Sequence, residues 1–193
     1  MEKDSKERKR LVAGATIVMF ILIVVMIIVN RPKIQTQQEL AAEQTGKENI
    51  LLLLKENFFK LNQGVYENNL IYGNDDSLKV YLTSLNVLNE PHFFNIKDWK
   101  AIACFITENS GYELINYLYK SDNLTLYIFQ IPISLINTQT LKLSKSLLDF
   151  LNKGNCFLSR ENDNIYILRK IDNEIFGFAS KSLNRDTILN ICQ

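Results

Sequence analysis

The chain has 193 residues, with 22 basic and 21 acidic side chains and a single histidine. That balance leaves no electrostatic footprint for nucleic acid. Seven glycines and three prolines leave little room for a low-complexity linker, and no internal repeat is evident.

Residues 1–10, MEKDSKERKR, carry five basic residues (Lys3, Lys6, Arg8, Lys9, Arg10) against three acidic ones (Glu2, Asp4, Glu7). Leu11 to Val29 then reads LVAGATIVMFILIVVMIIV, without a charge. At about 1.5 Å per residue such a stretch spans roughly the 30 Å hydrocarbon core of a bilayer. A helix there satisfies its own backbone hydrogen bonds, so residues 11–29 are expected to form a transmembrane helix held by the lipid bilayer. A cleaved signal peptide would have a shorter apolar region and a small-residue cleavage site. The exit Ile28-Val29-Asn30-Arg31-Pro32 has neither feature. The basic tail predicts a cytoplasmic N-terminus and a domain outside the cytoplasm, in a bacterial inner (cytoplasmic) membrane. Gly14 has Arg10 and Val18 four residues away, so no small-xxx-small dimer motif is present.

Beyond the helix there are 17 basic and 18 acidic residues, the chain's 22 and 21 less the tail's five and three. This is enough chain for one domain with a real core. Residues 30–48 are polar and Gln-rich, a stalk, and the α+β domain is expected over 49–193. Ile50, Leu54, Phe58 and Leu61 recur at helical spacing, and Leu51, Leu53 and Phe59 widen the stripe. That helix ends near Asn62-Gln63-Gly64. Its stripe suits core packing better than a partner-helix seam, being wider than a coiled-coil seam. Gly73-Asn74-Asp75-Asp76 reads as a breaker, and its two aspartates as a solvated turn rather than a cation site. Leu78–Leu88 fits helix or strand. Pro91 closes it, and Asn95–Trp99 is a short connection.

From Lys100 the pattern is mostly β. Strands are expected over Ala101–Thr107, Tyr112–Tyr119 and Leu124–Ile131, with turns at Asn109-Ser110-Gly111 and Ser121-Asp122-Asn123. Leu124, Leu126, Ile128 and Gln130 share one face of Leu124–Ile131 and Thr125, Tyr127, Phe129 and Ile131 the other; both are largely apolar, which suggests a central strand covered on both sides. Pro132 ends the pairing. Residues 141–152 read as a helix stopped by Gly154. Asn155–Ser159, Asn164–Lys170 and Glu174–Ser180 read as strands joined by hairpin-length turns. Ser182 or Asn184 caps a last helix through Cys192. The fold class is α+β: one N-terminal transmembrane helix, then a helix and an antiparallel sheet with helices packed on it.

The cysteines, Cys104, Cys156 and Cys192, permit three single bridges in an oxidising compartment. Cys104 and Cys156 both lie in expected strands and form the candidate disulfide; three small buried hydrophobes are the alternative. No catalytic, cofactor or metal constellation emerges. His92, in Glu90-Pro91-His92-Phe93-Phe94, has no nucleophile placed beside it. Ser144-Lys145-Ser146 lacks Ser-x-x-Lys spacing, and there is no Walker loop or GxGxxG. Asn123-Leu124-Thr125 matches a glycosylation sequon and reads as a turn.

Gly111 to Cys192 resembles the extracytoplasmic domain of bacterial transmembrane anti-sigma factors. The residues concerned are Tyr117-Leu118-Tyr119, the strand Leu124–Phe129, the small-residue strand Ile175–Ser180 and the helix Asn184–Ile191. The resemblance implies an outer domain of a signalling regulator. The chain departs from the family in the cytoplasm, where ten residues carry no zinc ligand and no sigma-binding domain. The expected function is therefore non-catalytic: a bitopic envelope protein presenting an interaction domain to other envelope proteins, without cofactor or nucleic acid and with homo-oligomerisation open. A membrane-anchored regulator is the second expectation. An envelope hydrolase with a carboxylate pair in a concave pocket is the third.

Overall fold

The computed structural model describes residues 34–36, 49–85, 87, 90–109, 111–138 and 140–193. The expected cytoplasmic tail 1–10, the expected transmembrane helix 11–29 and most of the expected stalk 30–48 lie outside the described residues. Among the described residues no helix is long and apolar enough to cross a membrane.

The described chain is α+β. In chain order it holds β1 (Ile34–Thr36), α1 (Ile50–Asn62), β2 (Ile71–Tyr72), α2 (Asp75–Ser84), β3 (Lys100–Asn109), β4 (Tyr112–Ser121), β5 (Leu124–Pro132) and α3 (Ile133–Asn137). Then follow α4 (Lys145–Asn152), β6 (Cys156–Glu161), β7 (Asn164–Ile171), β8 (Glu174–Ser180) and α5 (Arg185–Cys192). The strands form one sheet in the order β1-β6-β7-β8-β5-β4-β3-β2. All neighbours are antiparallel except β1, which pairs parallel with β6. Two three-stranded meanders, β3-β4-β5 and β6-β7-β8, therefore meet along their last strands. The two-residue turns have positive φ where the twist of a tight hairpin requires it, at Asn162 (47°) and Asp163 (66°) and at Asp172 (50°).

Both faces of this sheet are covered. On one, Leu53, Leu54 and Phe58 of α1 and Leu147 and Leu151 of α4 pack on Phe105, Tyr127, Phe129 and Leu168. On the other, Leu78 and Leu82 of α2, Trp99, and Ile188 and Ile191 of α5 pack on Tyr117, Ile128, Ile167 and Phe178. This two-sided burial is why β5 is apolar in both directions. Helix α1 lies close to the sheet at Gly177, where an added Cβ would stand 2.7 Å from Phe129 Cζ and 3.1 Å from Leu54 Cδ1.

Several boundaries differ from the expectation. Gly73–Asp76 is no breaker: the Asn74 side chain accepts from the Ser77 backbone N–H, and the Ser77 hydroxyl accepts from the Asn74 N–H, a capping box that starts α2 at Asp75. The aspartates lie in the first turn, where the helix dipole favours them. Helix α4 begins at Lys145 because Ser144 caps it. Residues 34–36, within the expected stalk, add a strand to the sheet.

The candidate Cys104–Cys156 bridge is corrected. The disulfide joins Cys156 to Cys192, with Cα atoms 5.5 Å apart. Cys104 is on β3 and Cys156 on β6, with β4, β5, β8 and β7 between them. Five strand spacings of about 4.8 Å separate them by roughly 24 Å, far beyond disulfide reach. Cys104 is a free, buried thiol. Removal from water pushes its pKa up to about 11.

Candidate functional site

Gln130 is fully buried on β5, the central strand of the second face. Its side chain is completely engaged. The Tyr117 hydroxyl donates to Oε1 at 2.5 Å, and the backbone N–H of His92 reaches the same oxygen at 3.3 Å. Nε2 donates to the Glu90 carbonyl and to Glu174 Oε2, each at 2.7 Å. Two tyrosines of β4 continue the row. Tyr117 accepts from His92 N–H at 3.1 Å, and Tyr119 accepts from Phe94 N–H at 2.8 Å. Alternation places Tyr117 and Tyr119 on one face of β4, and register brings Gln130 beside Ile115 on the neighbouring strand.

The groups so fixed belong to a strap, residues 90–99, that crosses the sheet without regular structure. A strap has no ladder of its own, so its N–H groups need side-chain partners. Aromatic contacts complete its seat: Phe93 on Tyr117, and Phe94 edge-on to Phe176 and Phe178. The His92 ring packs against both Phe94 and Phe176, with centroids at 4.7 and 5.2 Å. Trp99 closes the strap, its indole N–H directed at the Thr187 hydroxyl of α5 at 3.4 Å.

Where the strap meets the sheet end there is a concavity of about 770 Å³. Asp75, Asp76 and Lys79 of α2, Glu90 to Phe93 of the strap, and Asp172 to Glu174 of the β7–β8 turn line it. Five carboxylates thus share the hollow with one ammonium. Burial raises the Glu174 pKa above the ordinary carboxylate value, and the charges of Asp172 and Glu90 add to this, against the hydrogen bond from Gln130. Burial lowers the pKa of His92, with Arg169 acting in the same direction and Asp172 and Glu90 opposing. The hollow therefore repels anions. Its lining includes no serine or cysteine nucleophile. Among the described residues no group of three or more His, Cys, Asp or Glu side chains is arranged to hold a metal ion.

Of the residues weighed in the sequence, His92, Asp75 and Asp76 are brought together at this hollow, while Ser144 lies on the far face as the cap of α4. Sequence reasoning missed Gln130 and its clamp. The signal was present: Gln130 is the one amide on a strand otherwise apolar on both faces. A buried polar side chain in that position requires partners. The opposite face has an equivalent. The Tyr127 hydroxyl donates to Asn116 Oδ1 at 2.6 Å, and Asn116 Nδ2 donates to the Leu114 carbonyl and the Thr107 hydroxyl. In that row Tyr127 and Asn116 are fully buried.

The Cys156–Cys192 bridge lies on the strap's face of the sheet, tying the end of α5 to β6. Arg169, cross-strand from Cys156, donates to the Ile191 carbonyl beside Cys192 and so caps the C-terminal end of α5. Comparison with protein-family models, with curated proteins and with solved structures finds no match to this chain.

Proposed function

We propose that the chain is a non-catalytic, single-pass protein of the bacterial inner membrane that presents its α+β domain outside the cytoplasm as an interaction module of an envelope assembly. The observation that carries this reading is the uncharged stretch Leu11–Val29 behind a basic tail of ten residues. The Cys156–Cys192 bridge supports it, because such a bond persists in an oxidising compartment. The test is in-cell crosslinking of the full-length protein, with mass spectrometry of what co-purifies. Envelope proteins crosslinked through residues 50–193 are the expected outcome. A single cytoplasmic protein crosslinked to residues 1–10 would replace this reading with that of a membrane-anchored regulator like the anti-sigma factors.

One observation favours a second reading, an envelope hydrolase. Glu174, with its raised pKa, shares a concave hollow with Asp172 and Glu90, as a general acid beside an ionised carboxylate would. Glycan hydrolysis by the purified full-length chain, lost in both Glu174→Gln and Asp172→Asn, would establish it. No turnover by the wild-type chain would remove it.

A further inference from the structure

Strand β3 has one paired side and one largely open side. Its inner side pairs with β4 from Ala103 to Asn109 without a break in register. On its outer side β2 covers only Ala103 and Cys104. The Gly73 N–H adds one bond, to the Ile102 carbonyl at 3.0 Å. Strand β2 begins at Ile71, opposite Cys104, because Glu67–Asn69 just before it curl into a 3-10 turn. With the Ile102 carbonyl outward, alternation also turns the N–H and C=O of Cys104, Ile106 and Glu108 outward. Among the described residues those of Ile106 and Glu108 meet no ladder partner. Such an edge is ordinarily blunted by lysine, proline or a bulge. The bulge of β3 lies at Ala101–Ala103, where β2 pairs, and residues 105–109 contain neither lysine nor proline.

The side chains define what fits there. Glu108 and Glu113 stand directly opposite each other on β3 and β4, and both are exposed. Like charges so placed destabilise a ladder. Among the described residues neither carboxylate is in an ion pair. Ile106, on the same face as Glu108, is half-buried at the margin of the core. We infer that the outer edge of β3 takes up an extended segment of a partner protein, antiparallel over residues 105–109, with a basic residue opposite Glu108 and an apolar one opposite Ile106. The added strand satisfies the outward N–H and C=O groups of both residues. Its cation relieves the repulsion between Glu108 and Glu113, and its apolar residue extends the cover of Ile106. A second copy of β3 does not fit. Only even-numbered residues face outward, so a dyad falls at Ile106, Thr107 or Glu108. The first drives each chain into the other's β2, the second sets Glu108 against Ile106, and the third sets Glu108 against Glu108. None brings a cation to the carboxylates. The inference rests on the reading of this domain as an interaction module and names the chemistry of its partner.

The test uses the full-length chain in detergent and two capped peptides, Thr-Lys-Thr-Val-Thr and Thr-Glu-Thr-Val-Thr. The second residue of each meets Glu108 and the fourth meets Ile106. Binding is read by NMR at the backbone amides of Ile106 and Glu108. Both amides should respond to the lysine peptide, with a dissociation constant at least threefold below that for the glutamate peptide. Glu108→Lys, at an exposed position, should reverse that order. Amides that stay silent, or two peptides that bind alike, overturn the proposal. Silent amides in a chain that still crosslinks in cells to envelope proteins through residues 50–193 leave the interaction module standing without this edge. Silent amides in a chain that crosslinks to none overturn both.

Discussion

Replacing Gln130 with leucine should unlock the strap. The substitution nearly conserves volume, so it leaves little cavity; its cost lies in stranded polar groups. Four hydrogen bonds end on the Gln130 side chain. The Glu90 carbonyl and the Glu174 carboxylate border the hollow and can take water in its place. The Tyr117 hydroxyl cannot, because Tyr117 is fully buried. A buried group left without its partner costs about 1–3 kcal/mol. Adding about 1 kcal/mol for the weakened hold on the His92 N–H, Gln130→Leu should lose about 3 kcal/mol of stability. Trp99, the only tryptophan, is buried at the end of the strap, so its fluorescence in urea reports the transition. Amide exchange at His92 and Phe94 should quicken well before global unfolding. Adding Tyr117→Phe removes the stranded hydroxyl but also takes the last acceptor from the His92 N–H, so the double variant should depart from the sum of the two single changes, a coupling that neighbours sharing a bond must show. A loss below about 0.5 kcal/mol, with unchanged protection at both amides, would refute the clamp.

Opening the Cys156–Cys192 bridge, as Cys156→Ala with Cys192→Ala, should destabilise the domain by about 4 kcal/mol on the chain-entropy argument for a separation of 36 residues. Reductant should lower the urea midpoint of the wild type and leave the double variant unmoved. The raised Glu174 pKa has a definite sign: its stabilising contribution is whole below the unfolded pKa near 4.5 and is lost as pH rises through the folded value. Glu174→Gln, which keeps an acceptor for Gln130, should therefore gain on the wild type as pH rises from 4 to 8 in paired unfolding curves. A variant that instead loses stability toward neutrality would show that the ionised carboxylate is held favourably. Gly177→Ala should cost about 1–3 kcal/mol, because its Cβ meets the buried Phe129 ring at under 3 Å, and urea unfolding of the variant checks it.

Elements with a strong local cause were legible in the sequence. The stripe Ile50, Leu54, Phe58 marks α1 because one period fits one face. The hairpins are visible because Asn and Asp tolerate positive φ, as at Asp122, Asn162 and Asp172. Ambiguity arose where one chemistry serves two structures. Asn74 could close a turn or cap a helix, and the reciprocal bond with Ser77 that decides between them depends on a residue three places on. Leu143 shares the helical spacing of Leu147 and Leu151, yet Ser144 caps the helix after it. The bridge was beyond reach for another reason. Which cysteines meet depends on strand order, and that order follows from the two meanders joining through β5 and β8, a long-range choice no local residue encodes.

The site was legible to a lesser degree, for a reason inherent in a sheet covered on both faces. Such a sheet hides its polar residues among apolar ones, so Gln130 and Asn116 look like interruptions in strands rather than parts of anything. Each proves to be a fastening point. Gln130 holds the strap to one face, while Asn116 ties the Tyr127 hydroxyl to the Leu114 carbonyl on the other. Buried polar groups with every bond made fix one arrangement of the layers around them. The two rows thus hold one layer each on the two faces of the sheet, and the first of them ends at the acidic hollow, where Gln130 reaches Glu174.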